Sequence, residues 1–196
     1  MLSFILAIVF LLTTPGPGVL STAGVGAAFG YKPGLRYVFG LFIGTNLVAL
    51  AVVTGLAAAI LATPAIRNIL LLVSALYLLY LAFRIAFAGS TIAFIEAREK
   101  PGIVAGILLQ TINPKAYAVN TTLFTGFAFY SDSLLLETVL KFIIINAIWI
   151  PVHLLWLLAG SSIKQLNLRP NTQFAINVLM ALAMLSVVFL AAFSVI

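Results

Sequence analysis

The chain has 196 residues, of which 64% are hydrophobic and 7% charged, and it carries a formal net charge of +6. Soluble domains are about 45–50% apolar and about 25% charged, so the composition excludes an ordinary soluble protein and predicts a single integral membrane domain over residues 1–196. The absence of cysteine, together with one histidine and four acidic residues, excludes disulfides and thiolate sites and predicts no bound metal or cofactor.

Apolar runs of about 20 residues recur along the chain, and each is long enough to cross a hydrocarbon core roughly 30 Å thick as a helix. The short segments of alternating polarity that a membrane β-barrel needs do not occur. The predicted fold class is therefore an all-α integral membrane protein with six transmembrane helices. Their expected ranges are 2–31, 35–62, 68–87, 102–130, 136–163 and 172–195, with the first turn at residues 31–34.

Two of the six predicted helices contain a break. Thr13-Thr14-Pro15-Gly16-Pro17-Gly18 interrupts the first helix, and Asn113-Pro114-Lys115 interrupts the fourth, half a chain length later. Proline removes a backbone donor and clashes with the preceding turn, which is costly where lipid offers no replacement hydrogen bond. Prolines that merely kink a helix for packing are common in membranes, but two polar breaks at matching positions favour a binding site.

The two halves of the chain resemble each other weakly. Gly26-Ala27-Ala28-Phe29 and Gly126-Phe127-Ala128-Phe129 recur at the same offset as Asn46 and Asn146. Because each half has three predicted spans, a duplicated second half enters the membrane upside down, as in many secondary transporters. We therefore predict a first inverted repeat at 1–88, a polar cytoplasmic connecting loop at 89–101 and a second inverted repeat at 102–196.

Basic residues collect at alternate ends of the predicted helices. The positive-inside rule places the connections 31–36, 88–101 and 164–171 in the cytoplasm and both termini on the outer side. These residues form no continuous stripe, which argues against a nucleic-acid partner. The cytoplasmic side collects Lys32, Arg36, Arg84, Arg98, Lys100, Lys164 and Arg169, and the outer side Arg67 and Lys141.

A helix broken inside the membrane exposes amide N–H groups where its second half begins and carbonyl groups where its first half ends. The first end attracts a carboxylate and the second an ammonium group, which together match an amino-acid zwitterion. The candidate substrate-binding residues are Thr13, Thr14, Pro15, Gly16, Pro17, Asn46, Asn113, Pro114, Lys115 and Asn146.

Several of these residues have two interpretations that the sequence leaves open. Lys115 is the one charged residue deep in a predicted span. In one interpretation it contacts a substrate carboxylate or exchanges protons, in the other it caps carbonyl groups at the opposite break, and the two roles are compatible. His153 is either a packed core residue or a second proton-coupling candidate. Asn46 and Asn146 either line the cavity or bond to each other between helices. Small-residue spacing occurs three times, in Gly26 with Gly30, Gly40 with Gly44 and Gly102 with Gly106. It favours tight packing of helices within one bundle over a dimer face, and the sequence leaves undecided whether the protein forms a homo-oligomer.

Four motifs together resemble the LysE-type translocators, which export amino acids. They are Thr14-Pro15-Gly16-Pro17, the segment from Gly40 to Gly55, Tyr77-Leu78-Leu79-Tyr80-Leu81, and Asn113-Pro114-Lys115-Ala116. The resemblance implies a multi-pass protein of a bacterial-type inner membrane that exports amino acids or small derivatives, driven by the membrane potential or a proton gradient. The chain departs from the family pattern at Gly18, where many relatives have asparagine, and near His153, where many have aspartate.

The sequence therefore favours a secondary exporter that works by alternating access between two inverted halves. No acidic residue lies deep in a predicted span, so a neutral substrate is favoured over a basic one. Glu137 lies near a predicted helix start, four residues before Lys141, where a local ion pair accounts for it. The alternative is a non-transport scaffold or assembly and signalling partner on the same fold. No catalytic residues are predicted, because no nucleophile, histidine and acid occur in a plausible arrangement.

Overall fold

A computed structural model describes residues 1–14, 16–87, 100–130, 132–166 and 168–193. Pro15 and most of the predicted connecting loop, residues 89–99, lie outside these described residues. The described chain is all-helical, without a strand. Its helices are α1 (Leu2–Thr13), α2 (Pro17–Phe29), α3 (Tyr31–Val53), α4 (Leu56–Ala62), α5 (Pro64–Ala86), α6 (Ile103–Ile112), α7 (Pro114–Thr125), α8 (Leu134–Gln165) and α9 (Pro170–Phe193).

Within this described part, three helices are long and apolar enough to cross a membrane, namely α3, α5 and α8. The pair α1 and α2 also qualifies if it counts as one span, and its two helices meet at an angle of 49°. Large apolar side chains point away from the bundle; Leu134 is 81% exposed and Phe10 is 72% exposed. Such a surface is stable in lipid and would aggregate in water, which identifies the molecule as a multi-pass membrane protein.

Three details of the predicted helices were wrong. Residues 31–34, expected as a turn, begin α3, and the chain reverses instead at Gly30, which has φ 90. Pro33 is tolerated there because N–H groups in a first helical turn have no intrahelical acceptor. The predicted span 35–62 is divided at Gly55, which adopts a left-handed conformation with φ 77. Residues 127–130, expected in the fourth span, are not helical.

Helix α2 lies at the centre of the bundle, and every residue from Gly16 to Ala28 is buried. Small residues bring it against α8: a Cβ on Gly160 would overlap the carbonyl oxygen of Ala23, and a Cβ on Gly26 would lie 2.9 Å from that of Leu157. A similar close contact joins α3 and α6, where a Cβ on Gly106 would overlap the Tyr37 carbonyl. These glycines therefore pack helices within one bundle, as expected for Gly26, Gly40, Gly44 and Gly106.

The two ends of α8 each carry a lysine that binds the end of a neighbouring helix. Lys164 Nζ donates to the Ala28 carbonyl at the C-terminus of α2, at 2.7 Å. Lys141 Nζ donates to carbonyl groups just beyond and within the last turn of α7, those of Phe127 and Phe124. Lys141 also forms the expected ion pair with Glu137, at 2.7 Å, and both side chains are buried. The lysines thus donate hydrogen bonds to carbonyl groups at helix C-termini and balance the partial negative charge there.

Candidate functional site

The site is built at two helix breaks that face each other. Helix α1 ends at Thr13, and α2 starts at Pro17 with Gly16 as its N-cap and no side-chain cap. Helix α6 ends at Ile112, and α7 starts at Pro114. Here the Asn113 side chain is a true N-cap, because its Oδ1 accepts a hydrogen bond from the Lys115 N–H at 3.1 Å. The uncapped N-terminus of α2 therefore keeps its partial positive charge directed into the interior.

Lys115 links the two breaks. Its Nζ donates to the carbonyl oxygen of Thr14 at 2.7 Å, across the gap between α7 and the end of α1. The lysine passes beside Gly16, where a Cβ would lie 2.7 Å from Lys115 Cδ and 2.8 Å from Nζ. Glycine at this position therefore makes room for the lysine. Of the roles that the sequence left open, capping of carbonyls at the opposite break is present, while substrate contact stays a prediction.

Side-chain hydroxyl groups donate to backbone carbonyl groups near the two breaks. Thr14 Oγ1 donates to the Phe10 carbonyl at 2.6 Å, and Thr13 Oγ1 donates to the Val9 carbonyl at 2.7 Å. At the second break, Tyr117 Oη donates to the Thr111 carbonyl at 2.8 Å. These hydroxyl groups satisfy part of the two helix ends from within the protein.

An open cavity lies where these breaks meet α3 and α8, and the space within it and in front of its mouth, including open solvent, is about 510 Å³. One part of its wall is polar and contains Thr14, Thr45, Gln110, Asn113, Lys115, Asn120 and His153. The remainder is apolar or formed by glycine and contains Leu11, Leu12, Gly16, Gly18, Val19, Ala116, Val119, Leu123, Ile145 and Trp149. Among the described residues that line it, Lys115 carries a formal charge and no side chain is acidic.

His153 is held in a defined orientation on the cavity wall. Its ring stacks on Trp149 with centroids 3.6 Å apart, and its Nδ1 lies 3.0 Å from the Trp149 carbonyl oxygen. Because a carbonyl can only accept, Nδ1 carries the proton of the neutral ring, and Nε2 is left as an acceptor. A Cβ on Gly18 would lie 3.5 Å from this Nε2. Nε2 of His153 therefore lies beside the start of α2.

Gln110 is a second buried polar group at this point. Its Oε1 accepts from Asn113 Nδ2 at 3.0 Å, and this assignment is fixed because Asn113 Oδ1 already accepts the Lys115 N–H. Its Cβ packs against Gly44 of α3, where a methyl group would lie only 2.7 Å away. The site therefore contains a hydrogen-bonded chain from Gln110 through Asn113 to the start of α7.

The structure brings together some of the predicted residues and leaves others apart. Thr14, Gly16, Asn113, Lys115 and His153 all line the cavity. Thr13, Pro17 and Pro114 lie in the two breaks without lining it, and Pro15 is outside the described residues. Substrate contact by these four residues stays a prediction.

Asn46 and Asn146 bond to each other between two helices, and substrate contact by them stays a prediction. Asn46 Nδ2 donates to Asn146 Oδ1 at 3.1 Å, and Asn146 Nδ2 donates back to Asn46 Oδ1 at 2.9 Å. Neither is among the described residues that line the cavity, although their neighbours Thr45 and Ile145 are. The contact observed is therefore a bond between α3 and α8.

Sequence reasoning missed Gln110, Thr45 and Asn120 as lining residues. One feature of the sequence could have predicted Gln110: it lies three residues before Asn113, and residues at this spacing in a helix lie on the same face. As to metals, the described residues contain no group of three or more His, Asp or Glu side chains that could hold an ion. What the cavity does offer is a positive group, several neutral hydrogen-bonding groups and an apolar wall.

Comparison with known proteins agrees with this arrangement. The chain is 28% identical over 131 residues to the leucine efflux protein of Klebsiella pneumoniae, an alignment that covers 64% of this chain and 62% of that protein. It is 29% identical over 130 residues to the leucine efflux protein of Salmonella choleraesuis, covering 64% and 61% of the two chains. The alignments thus span less than two thirds of these relatives' length. No solved structure matches the chain.

The family model described as LysE type translocator matches residues 9–196, which is nearly the whole chain. The match includes both helix breaks, the cavity and its lysine. The resemblance drawn from the proline and Asn-Pro-Lys motifs is thereby confirmed, and the chain belongs to the LysE type translocator family.

Proposed function

We propose that the protein is a secondary transporter, rather than an enzyme, that exports amino acids or small amino-acid derivatives from the cytoplasm. The observation that carries this proposal is the cavity between the two helix breaks, which combines Lys115, neutral polar groups and an apolar wall. Membership of the LysE type translocator family and similarity to leucine efflux proteins support the same function.

The substrate carboxylate binds at the positive side of this cavity. Two sources of positive charge meet there, the uncapped N-terminus of α2 and the ammonium group of Lys115 beside Gly16. A neutral side chain then packs on the apolar wall formed by residues such as Leu12, Val119 and Ile145. A basic side chain would meet no acidic partner among the described lining residues, so a neutral substrate is favoured over a basic one.

Transport proceeds by alternating access between two inverted three-helix repeats, residues 1–88 and 102–196, joined by the cytoplasmic loop 89–101. In this arrangement α1 with α2 forms one span and α6 with α7 another, so that the six spans converge on the breaks. The position of the cavity beside both breaks supports this architecture.

The protein resides in a bacterial-type inner membrane with both termini on the outer side. Lys164 and Gln173 both bind the C-terminal end of α2, so the basic connection between α8 and α9 lies beside the turn at Gly30. The positive-inside rule assigns the connections at 31–36 and 164–171 to the cytoplasm, together with 88–101. The alternative, a closed non-transport scaffold, requires a filled interior, and the cavity beside Lys115 argues against it.

The proposal is tested with purified protein in proteoliposomes loaded with labelled leucine and labelled lysine at equal concentration. We expect leucine to leave faster than from protein-free vesicles, and at least about tenfold faster than lysine, because an unpaired charge in a membrane interior costs ~2.5–3.5 kcal/mol or more. Equal release of both amino acids would refute the preference for neutral substrates. Release of neither above the protein-free rate would refute export of these amino acids.

A further inference from the structure

Gln110, His153 and Gly18 form a small polar pocket within the larger cavity. The side chains of Gln110 and His153 are 5% and 3% exposed, so both are nine-tenths buried. Both lie beside Gly18: a Cβ there would be 3.5 Å from His153 Nε2, 3.8 Å from Gln110 Oε1 and 3.9 Å from Gln110 Nε2. The pocket is therefore the space that the missing side chain of residue 18 leaves open.

The pocket presents hydrogen-bond acceptors. His153 Nε2 is unprotonated in the neutral ring because Nδ1 faces the Trp149 carbonyl, and no group among the described residues bonds to it. Gln110 Oε1 accepts one bond from Asn113 and has a second lone pair available. A buried acceptor without a donor is costly, and His153 Nε2 is such an acceptor among the described residues, so the pocket favours a ligand that donates.

The ammonium group of an amino acid is such a donor, and two backbone carbonyl groups at the breaks that could also receive it already accept a hydrogen bond. The Thr14 carbonyl at the first break already accepts from Lys115, and the Thr111 carbonyl at the second accepts from Tyr117. Resting on the proposed export of amino acids, we infer that Gln110 and His153 receive the α-ammonium group of a zwitterionic substrate. The carboxylate then lies toward Lys115 beside Gly16, at the N-cap of α2, and Gly18 keeps open the space for the ammonium group on the side of the first turn.

The test measures how much the ammonium group contributes to binding of the substrate. The full-length protein in lipid nanodiscs is titrated with L-leucine and with 4-methylpentanoate, which has the same carboxylate and side chain but no amino group. We expect the wild-type protein to bind leucine at least about tenfold more tightly, because a hydrogen bond to a charged group is lost with the analogue. Calorimetry gives both affinities under identical conditions.

Three variants alter the pocket in different ways. Gln110→Met and His153→Phe remove the acceptors but keep an apolar chain or a ring that can stack on Trp149. Gly18→Ala adds a methyl group that fills the pocket at ordinary contact distance. Each is expected to weaken leucine binding about tenfold and to change binding of 4-methylpentanoate less than about twofold. Gln165→Met, at the exposed end of α8, is the matched control and should keep the wild-type ratio.

The outcomes are distinct. If the three variants keep the wild-type preference for leucine, or lose both ligands equally while eluting as folded protein in size-exclusion chromatography, the ammonium site is refuted and export is untouched. If the wild-type protein binds neither ligand, the proposed function fails and this inference fails with it. Loss of the leucine preference with retained binding of 4-methylpentanoate supports the assignment.

Discussion

At the scale of single residues, Lys115 determines the charge of the site. Its ammonium group is anchored by the Thr14 carbonyl and also lines the cavity, beside the start of α2. A lysine in a membrane interior costs ~2.5–3.5 kcal/mol or more, and the carbonyl together with the polar cavity offsets this. A single position of the side chain thus allows both a structural bond and contact with a substrate carboxylate.

The paired amides of Asn46 and Asn146 give a prediction at the same scale. If the bond between α3 and α8 is their main role, replacing either residue by leucine should lower the free energy of unfolding. The double variant should lower it by less than the sum of the two single losses. Bonds of this kind inside membranes contribute about 0.6 kcal/mol on average and about 1.7 at most. A double-mutant cycle of unfolding in mixed detergent micelles measures this coupling. A coupling of zero would argue that the two amides act independently.

At the scale of helices, small residues decide which elements touch. The contact between α3 and α6 needs glycine at 106, because a Cβ would overlap the Tyr37 carbonyl and lie 2.6 Å from the Leu41 amide nitrogen. This contact holds α6 against α3, and it thereby keeps Gln110 and Asn113 in position on the cavity wall. Packing of backbone on backbone thereby supports the geometry of the site.

Gly106 and Gly102 belong to the same motif but differ in surroundings, which gives a matched pair of variants. Gly106→Ala should destabilise the protein by about 1–3 kcal/mol, because the backbone of α3 must move. Gly102→Ala should change stability by less than about 0.5 kcal/mol, since no neighbouring atom lies within 4 Å of the added Cβ. Thermal unfolding in one detergent compares the two. Equal losses would mean that the close contact of α3 and α6 does not control stability.

The helices also indicate which features a sequence can predict. Helix ends beside Pro17 and Pro114 were predictable because proline acts on its immediate neighbours. The turn expected at 31–34 was wrong because Pro33 is compatible with a first helical turn, and the left-handed Gly55 gave no warning because glycine is also common inside membrane helices. Local chemistry identifies where a helix cannot continue, but not every place where it stops.

At the scale of the whole molecule, the cavity depends on which helices meet, and composition does not specify this. Thr14, Asn113 and Lys115 could be predicted as site residues because each lies in a polar break. Trp149 could not, since it is a single residue in a long apolar helix until α2 and α8 come together, and Gln110 had only its spacing from Asn113 as a signal. The same assembly directs Asn46 and Asn146 toward each other instead of toward the cavity.

If substrate leaves the cell through the cavity that contains Lys115, removal of this lysine should slow export. The rate of leucine release from loaded proteoliposomes is measured for the wild-type protein, Lys115→Met and Lys32→Met, the last being a matched change at an exposed lysine in the first turn of α3. We expect release at least about tenfold slower for Lys115→Met, through loss of a charge-assisted bond to the carboxylate, and within about twofold of wild type for Lys32→Met. Release by Lys115→Met at the wild-type rate would show that export does not depend on this lysine.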